Sequence, residues 1–325
     1  MKLMVTGATG FIGSHLCARL CIEGHEVHAL VRSGDVPDVL RSTIVHHGDV
    51  TLPETLAAPM DGVDAVIHLA SVLGPSGTPE DLFNLVNVKG TEHVMFAAFS
   101  RRIPWVVHCS SCGVYGSVRG AVADERTELA PEDPYERSKA AAEDVVRRYQ
   151  DRGLRACVVR PAWVYGPADL RTLKLFRATA RHRMVLAGPA TNRQHPVYID
   201  DLVDGFLKCI TQQAAAEGKI YNLGGAEIVT IDELCTMIAA ALGVKLPAVR
   251  LPLPVARLAG RMAERIWRLW GGEAPINERK VDFFIKDRAY CIDAARHDLG
   301  FAPLTRLREG FAATVAAYRK AGLLP

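Results

Sequence analysis

The stretch that most restricts what this chain can become is its start, Met1-Lys2-Leu3-Met4-Val5-Thr6-Gly7-Ala8-Thr9-Gly10-Phe11-Ile12-Gly13, in which a short apolar run meets three glycines spaced three apart. Leu3, Met4 and Val5 suit a buried parallel strand. Gly7 permits a tight turn, Gly10 lets the backbone approach a pyrophosphate, and Gly13 lets the next helix pack closely on the strand. Three glycines alone also suit a ligand-free turn. The context is more specific: a helical stretch from Ser14 to Glu23 follows, then Gly24 as a cap and a second strand from Val27 to Val31. A helix starting there turns its unpaired N–H groups and positive dipole end toward an anion. Gly7, Thr9, Gly10, Phe11, Ile12 and Gly13 are therefore candidate dinucleotide-binding residues.

Further along, apolar strands alternate with amphipathic stretches. Strands are predicted at Thr43 to His46, Ala65 to Leu69, Trp105 to Cys109, Ala156 to Arg160 and Ile220 to Leu223, with helices such as Asp81 to Ser100 and Pro134 to Arg152 between them. This order predicts an α/β fold with a doubly wound parallel sheet, whose ligands bind at the carboxyl ends of the strands. At 325 residues and 49% hydrophobic, the chain has ample material for a core and exceeds one typical domain. A formal charge of +3 gives no reason to expect a nucleic-acid partner. The chain enters its first strand almost at once and has no apolar run long enough to span a bilayer, so a cytoplasmic location is expected. Eight scattered cysteines then read as small buried hydrophobes, Cys109 and Cys112 included, because their C-x-x-C spacing has no matching second pair. No metal site is expected.

The end of the second strand bears on the cofactor. A carboxylate there would bond the ribose hydroxyls of NAD, but the chain has Val31 followed by Arg32, which can stack on adenine and pair with a 2′-phosphate. NADP(H) is favoured and NAD(H) is the alternative; a merely solvated Arg32 is the bland reading. One strand later, in Gly48-Asp49-Val50, Asp49 can accept the adenine amino group or simply hold a turn.

Tyr135 and Lys139 stand four apart on a helix opening with Pro134, which places both on one face. A neighbouring ammonium favours phenolate and makes such a hydroxyl usable as a general acid or base. A serine in Ser110-Ser111-Cys112-Gly113-Val114-Tyr115-Gly116, ending the preceding strand, can hold a substrate oxygen beside it.

With these residues in view, the chain resembles an extended short-chain dehydrogenase/reductase of the NAD-dependent epimerase/dehydratase family. The likeness also rests on His68-Leu69-Ala70, Asn87-Val88-Lys89-Gly90-Thr91, Arg160-Pro161-Ala162-Trp163-Val164-Tyr165-Gly166-Pro167, Tyr198-Ile199-Asp200-Asp201 and Leu299-Gly300-Phe301-Ala302-Pro303. It implies a Rossmann domain over 1–166 and 197–228, interleaved with a smaller substrate-binding lid over 167–196 and 229–325. It implies that Tyr135 is the acid/base, that Lys139 also binds the nicotinamide ribose, and that Ser111 rather than Ser110 is the catalytic hydroxyl. Leu69, Ala70, Asn87, Pro161 and Val164 would join Val50 along the cofactor.

The pattern departs from the sugar dehydratases, since Cys112 and Gly113 stand where acidic residues follow the hydroxyl. Arg160-Pro161 with Trp163 is closer to the hydroxysteroid dehydrogenase and dihydroflavonol reductase branch. Gln194 falls where nucleotide-sugar enzymes usually carry Arg, although the adjacent Arg193 can still serve a diphosphate. The expected activity is interconversion of a secondary alcohol and a ketone. A nucleotide-sugar epimerase with tightly held NAD is the alternative, and a non-catalytic dinucleotide sensor is a third reading.

Helices are expected again at Leu170 to Arg183 and at Leu251 to Trp270, where apolar residues recur at helical spacing beside Arg257, Arg261, Arg265 and Arg268. That second helix would pack on the core, cover an apolar substrate or touch an anionic membrane surface. His195 receives no role. A homodimer is expected through helices 81–101 and 134–152, with Ala140, Ala141, Ala142, Val145 and Val146 as a small-residue packing face.

Overall fold

The computed structural model describes residues 1–32, 34, 36–74, 77–246, 250–255, 258–260, 262–263 and 278–325. Seven parallel strands form its main sheet: β1 Lys2–Thr6, β2 Glu26–Val31, β3 Ile44–His47, β4 Ala65–His68, β5 Val106–Cys109, β6 Ala156–Pro161 and β11 Ile220–Leu223. The order β11-β6-β5-β4-β1-β2-β3 reverses direction beside β1, so the glycine turn after β1 lies at the crevice where such sheets take ligands. Central strands β1 and β4 are buried on both faces, which is why they read as continuous apolar runs rather than alternating ones.

Helix α1 (Phe11–Ile22) stops where Gly24 takes φ +80°, as the capping pattern predicts. The stretch predicted as one helix from 81 is three pieces in tandem: α2 Glu80–Phe83, a π-helical segment Asn84–Lys89 and α3 Gly90–Ser100. A Cβ on Gly90 would come within 2.8 Å of Val50 Cγ2, so glycine lets this helix approach the loop after β3. Helix α4 (Pro134–Gln150) begins with a capping box in which Asp133 accepts from the Glu136 N–H at 2.8 Å and Glu136 accepts from the Asp133 N–H at 3.3 Å.

After β6 the chain builds elements too short for periodicity to reveal. Strands β7 (Trp163–Tyr165) and β10 (Pro196–Tyr198) pair in parallel, β9 (Arg193–Gln194) pairs antiparallel with β12 (Val229–Thr230), and β8 (Leu186–Ala187) pairs with β13 (Arg250–Leu251). Helix α5 (Leu173–Ala180) is shorter at both ends than the predicted 170–183 stretch. It packs with α8 (Ile231–Leu242), which in turn packs with the terminal helix α11 (Leu307–Lys320). Helices α6 (Ile199–Thr211) and α7 (Gln213–Ala216) precede β11, while α9 (Glu278–Ile285) and α10 (Asp293–Leu299) lead into α11.

One apolar cluster runs from Leu3 and Val5 on the sheet through Tyr165 and Phe176 to Phe311 and Tyr318, so the C-terminal layer shares the core of the sheet. Burying each such side chain contributes about 1.5–3 kcal/mol.

One expectation is corrected by packing and another lies mostly outside the described residues. Ala142, Val145 and Val146 are buried within the monomer, the two valines in the second core cluster under the sheet, and cannot form a dimer face. Of the 251–270 segment, all four arginines and Ile266, Leu269 and Trp270 lie outside the described residues; the described Val255, Leu258 and Met262 are exposed. Among the described residues no helix is long and apolar enough to cross a membrane.

Candidate functional site

The turn after β1 is shaped by backbone proximity. Gly7 adopts φ +69°, and a Cβ on it would stand 2.7 Å from the Ala70 nitrogen and 2.8 Å from the Leu69 carbonyl carbon. A Cβ on Gly13 would overlap the Gly7 carbonyl oxygen. Gly10 caps α1, its N–H donating to Gly7 O at 3.0 Å, and no acidic residue occupies the helix's first turn. Free amide groups, a helix N-terminus and space that a side chain would fill suit a dinucleotide pyrophosphate, so the residues present fit the cofactor that the sequence implies. Thr9 and Gly10 are exposed, whereas Phe11 and Ile12 are half-buried.

Below the turn, Thr6 Oγ1 accepts from the Ala70 N–H at 3.1 Å and bonds His68 Nδ1 at 2.7 Å; His68 Nε2 meets Thr91 Oγ1 at 3.0 Å. Asn87, placed inward by the π-helical segment, takes the Val72 N–H at 2.7 Å, donates to Val72 O at 3.0 Å and reaches Ser138 Oγ at 2.9 Å. It thereby ties the loop after β4 to α4. At the β2 and β3 ends, Arg32 is exposed, and Asp49 accepts from the Thr51 N–H at 2.8 Å and Thr51 Oγ1 at 2.9 Å. The turn role of Asp49 is thus visible. Val50 is buried; Pro161 closes β6 and Val164 sits within β7.

The two serines that follow β5 are used differently. Ser110 is buried and donates to Glu143 Oε1 at 2.5 Å, whereas half-buried Ser111 caps the 3₁₀ turn Cys112–Tyr115 and accepts from the Gly113 N–H at 3.0 Å. Lys139, buried on α4, donates to the Cys109 carbonyl at 2.5 Å and so anchors the end of the same strand. Tyr135, one turn earlier, is half-buried with its ring edge-on to Phe83 at 6.4 Å.

Glu136 is a carboxylate that sequence spacing overlooks. Its Cγ and the Ser111 Oγ would each lie 3.2 Å from a Cβ on Gly113, so the helix places an acidic side chain beside the space this glycine leaves in the 3₁₀ turn. That carboxylate is fully engaged: it accepts from the Glu132 N–H at 2.8 Å and pairs with Lys286 at 3.2 Å and Arg288 at 3.4 Å. Arg193 is likewise engaged, bonding Asp287 through Nε at 3.0 Å and Nη2 at 2.6 Å, so a diphosphate would compete with that carboxylate for it. Gln194 is buried and donates to Lys286 O at 3.1 Å. His195 Nε2 meets Gly225 O at 2.8 Å, a structural contact.

All eight cysteines are free, and no cluster of three metal-ligating groups occurs among the described residues. Burial pushes the Cys109 thiol up to about 11 and that of Cys112 well above the usual range, so neither is a thiolate near neutrality. Cys112 instead donates to Arg160 O at 3.0 Å.

Burial, helped by the charge of Lys139, lowers the pKa of His68 to about 3 and that of His108 well below 6.5. The unfolded chain therefore binds protons that the folded chain refuses as pH drops below about 6.5, and stability falls in that direction. Each histidine adds about 1.4 kcal/mol per pH unit once its unfolded form is protonated. His108→Phe is expected to flatten the acid loss measured by urea unfolding between about pH 6.5 and 4.5. An unchanged slope would contradict this account.

The sheet order, glycine turn and helix N-terminus define a dinucleotide-binding α/β enzyme. A sequence profile of the NAD-dependent epimerase/dehydratase family matches residues 3–224, and the chain belongs to that family of NAD(P)-using enzymes. It is 30% identical over 321 residues to a 2-alkyl-3-oxoalkanoate reductase of Stenotrophomonas maltophilia, covering 95% of this chain and 97% of that protein. A 3 beta-hydroxysteroid dehydrogenase/Delta 5→4-isomerase of Mycobacterium tuberculosis is 29% identical, covering 93% and 86%. The structure of MoeE5 in complex with UDP-glucuronic acid and NAD superposes with TM-score 0.79 at 28% identity, covering 99% of this chain and 100% of that one.

Proposed function

We propose that this protein is an NADP(H)-dependent oxidoreductase that interconverts a secondary alcohol and a ketone through Ser111, Tyr135 and Lys139. The observation that carries the reading is the junction of β5 with α4. There Lys139 holds the Cys109 carbonyl, leaving Ser111 two residues on and Tyr135 one turn away, at the carboxyl end of the sheet. The bound dinucleotide supplies the hydride. Ser111 orients the ketone oxygen, Tyr135 gives it a proton through its hydroxyl, and Lys139 favours the resulting phenolate. The described parts of 167–196 and 229–325 would supply the substrate side of the cleft, and the eight free thiols suit a cytoplasmic setting.

A ketone substrate without a sugar nucleotide is favoured because Arg193 is paired with Asp287 and Glu136 with Lys286. The likeness to a 2-alkyl-3-oxoalkanoate reductase points the same way, while the likeness to MoeE5 supports the epimerase alternative. The deciding assay incubates the protein with NADPH and either 2-alkyl-3-oxo acids or UDP-sugars. Stoichiometric NADPH oxidation by the oxo acids is expected; turnover of a UDP-sugar on co-purified NAD with no net consumption would overturn the reading.

Arg32 at the end of β2 would read the 2′-phosphate. Arg32→Ala is expected to weaken NADPH by about 1.5–3 kcal/mol, the worth of a hydrogen bond to a charged group, and to leave NADH nearly unchanged. Equal losses by calorimetry would remove the argument for NADP(H).

The dimer surface would then be the outer face of the stretch from α2 through the π-helical segment to α3, where Leu82, Leu85 and Phe96 are 40%, 43% and 54% exposed. A homodimer is expected by light scattering at micromolar concentration, and Phe96→Glu should yield monomer. A wild-type monomer would refute it.

A further inference from the structure

Trp163, Phe283 and Phe284 pack against the main core yet are only half-buried, which leaves part of each ring outside it. They come from distant parts of the chain. Trp163 opens β7, two residues beyond the Pro161 that closes β6, and the two phenylalanines lie in the last turn of α9. The Trp163 and Phe283 rings meet at 5.3 Å and 70°, and Phe284 extends the contact to Phe283 at 5.3 Å and 88°. Edge-to-face contacts of this kind join the three rings into one aromatic surface. Polar bonds fix where that surface stands. Gln194 of β9 donates to Phe283 O at 3.2 Å and to Lys286 O at 3.1 Å, and Lys286, one residue past α9, bonds Glu136 at 3.2 Å. Glu136 follows Tyr135 directly, so the segment that carries Phe283 is pinned to the first turn of α4. Trp163 in turn follows β6, the neighbour of β5, at the carboxyl end of the sheet where Ser111 lies.

We propose that Trp163, Phe283 and Phe284 form the wall on which a hydrocarbon arm of the ketone lies, so that these rings select substrates with a long alkyl substituent on the reacting carbonyl. The inference rests on the alcohol–ketone reading above and adds to it which ketones are turned over well. Half-buried aromatic side chains gathered beside a few fixed polar groups are what small-molecule sites are built from. Laying an alkyl chain on them removes apolar surface of both from water. The charges on the same stretch do not compete for that role. Lys286 is paired with Glu132 at 3.1 Å as well as with Glu136, and Arg288 is paired with Glu136 at 3.4 Å. Gln194 gives its amide N–H groups to backbone carbonyls. What this side offers a ligand is therefore hydrocarbon rather than charge.

The test compares kcat/KM for 3-oxobutanoate, 3-oxohexanoate and 3-oxooctanoate at saturating NADPH. In the wild type each added methylene is expected to raise kcat/KM roughly threefold, the worth of burying one such group. Trp163→Ala and Phe283→Ala should each cut that gain to below about 1.5-fold per methylene, while Trp163→Phe, which keeps a ring, should retain most of it. Rings that merely seal the core would, when truncated, lower the unfolding midpoint and reduce kcat/KM by one common factor at every chain length; that result overturns the proposal. Binding supplies a readout that needs no turnover. Octanamide, whose carbonyl NADPH does not reduce, should bind the NADPH complex roughly tenfold or more tighter than butanamide, and Trp163→Ala should remove most of the difference. Equal wild-type affinity for the two amides overturns the wall, and NADPH oxidation by the oxo acids in that case leaves the oxidoreductase reading standing. A preference for octanamide with no oxidation of NADPH by any oxo acid keeps the wall and fails the reading.

Discussion

Tyr135→Phe is expected to cut turnover by roughly two to four orders of magnitude while dinucleotide affinity stays near wild type. The ring that packs against Phe83 is retained, and the pyrophosphate cradle lies on a different element, so binding has no reason to change. What disappears is the hydroxyl that would pass a proton to the ketone oxygen. Neighbouring variants should grade around this loss. Lys139→Met should impair both turnover and cofactor binding, and it also removes the 2.5 Å bond to the Cys109 carbonyl, so some loss of stability accompanies it. Ser111→Ala should be intermediate, since it loses an orienting hydrogen bond and an N-cap but keeps the proton donor. Near-normal turnover in Tyr135→Phe would place the proton relay elsewhere.

Gly13→Ala is expected to be nearly as severe for a different reason. The added methyl would overlap the Gly7 carbonyl oxygen and stand 2.9 Å from Ala8 Cα, and neither is a flexible side-chain end that can swing away. Relief requires α1 to retreat from the turn, which loosens the Gly10-to-Gly7 bond and misaims the amides meant for the pyrophosphate. Overpacking of this kind costs about 1–3 kcal/mol of stability. Affinity for NADH and NADPH should fall together, roughly tenfold to a hundredfold, since each factor of ten is about 1.4 kcal/mol. Gly24→Ala is the control. Gly24 has φ +80° but nothing within 4 Å of a new Cβ, so that variant should lose about 1 kcal/mol of stability and no cofactor affinity. Calorimetry on both variants decides the matter; equal affinities in Gly13→Ala and wild type would sink the cradle argument.

Local signals carried the sequence reading a long way where the physics is local. The glycine spacing after β1, the Pro134 start of α4 and the buried-strand runs each encode their structure within a few residues, so the doubly wound sheet was legible in the sequence. The four-residue spacing of Tyr135 and Lys139 was legible too, because helical geometry sets which residues share a face. The break of the 81–100 helix into a π-helical middle was not, because it depends on Asn87 meeting Val72 and on Gly90 meeting Val50.

Tertiary structure alone decided how charged side chains are used. Arg193 finds Asp287 at a separation of 94 residues, and Lys286 finds Glu136 at 150, distances over which spacing carries no information. The same holds for α4: its sequence shows a run of small residues but not that Ala142 and Val145 face inward, since only the packed sheet fixes which side of an amphipathic helix is covered. The sequence by itself determined the cradle and the helical register of Tyr135 and Lys139, because both follow from backbone geometry. Which serine points to Glu143, which carboxylate fills the space beside Gly113 and which arginine is already paired were decided by long-range contact, because a buried charge takes whatever partner the fold brings within reach.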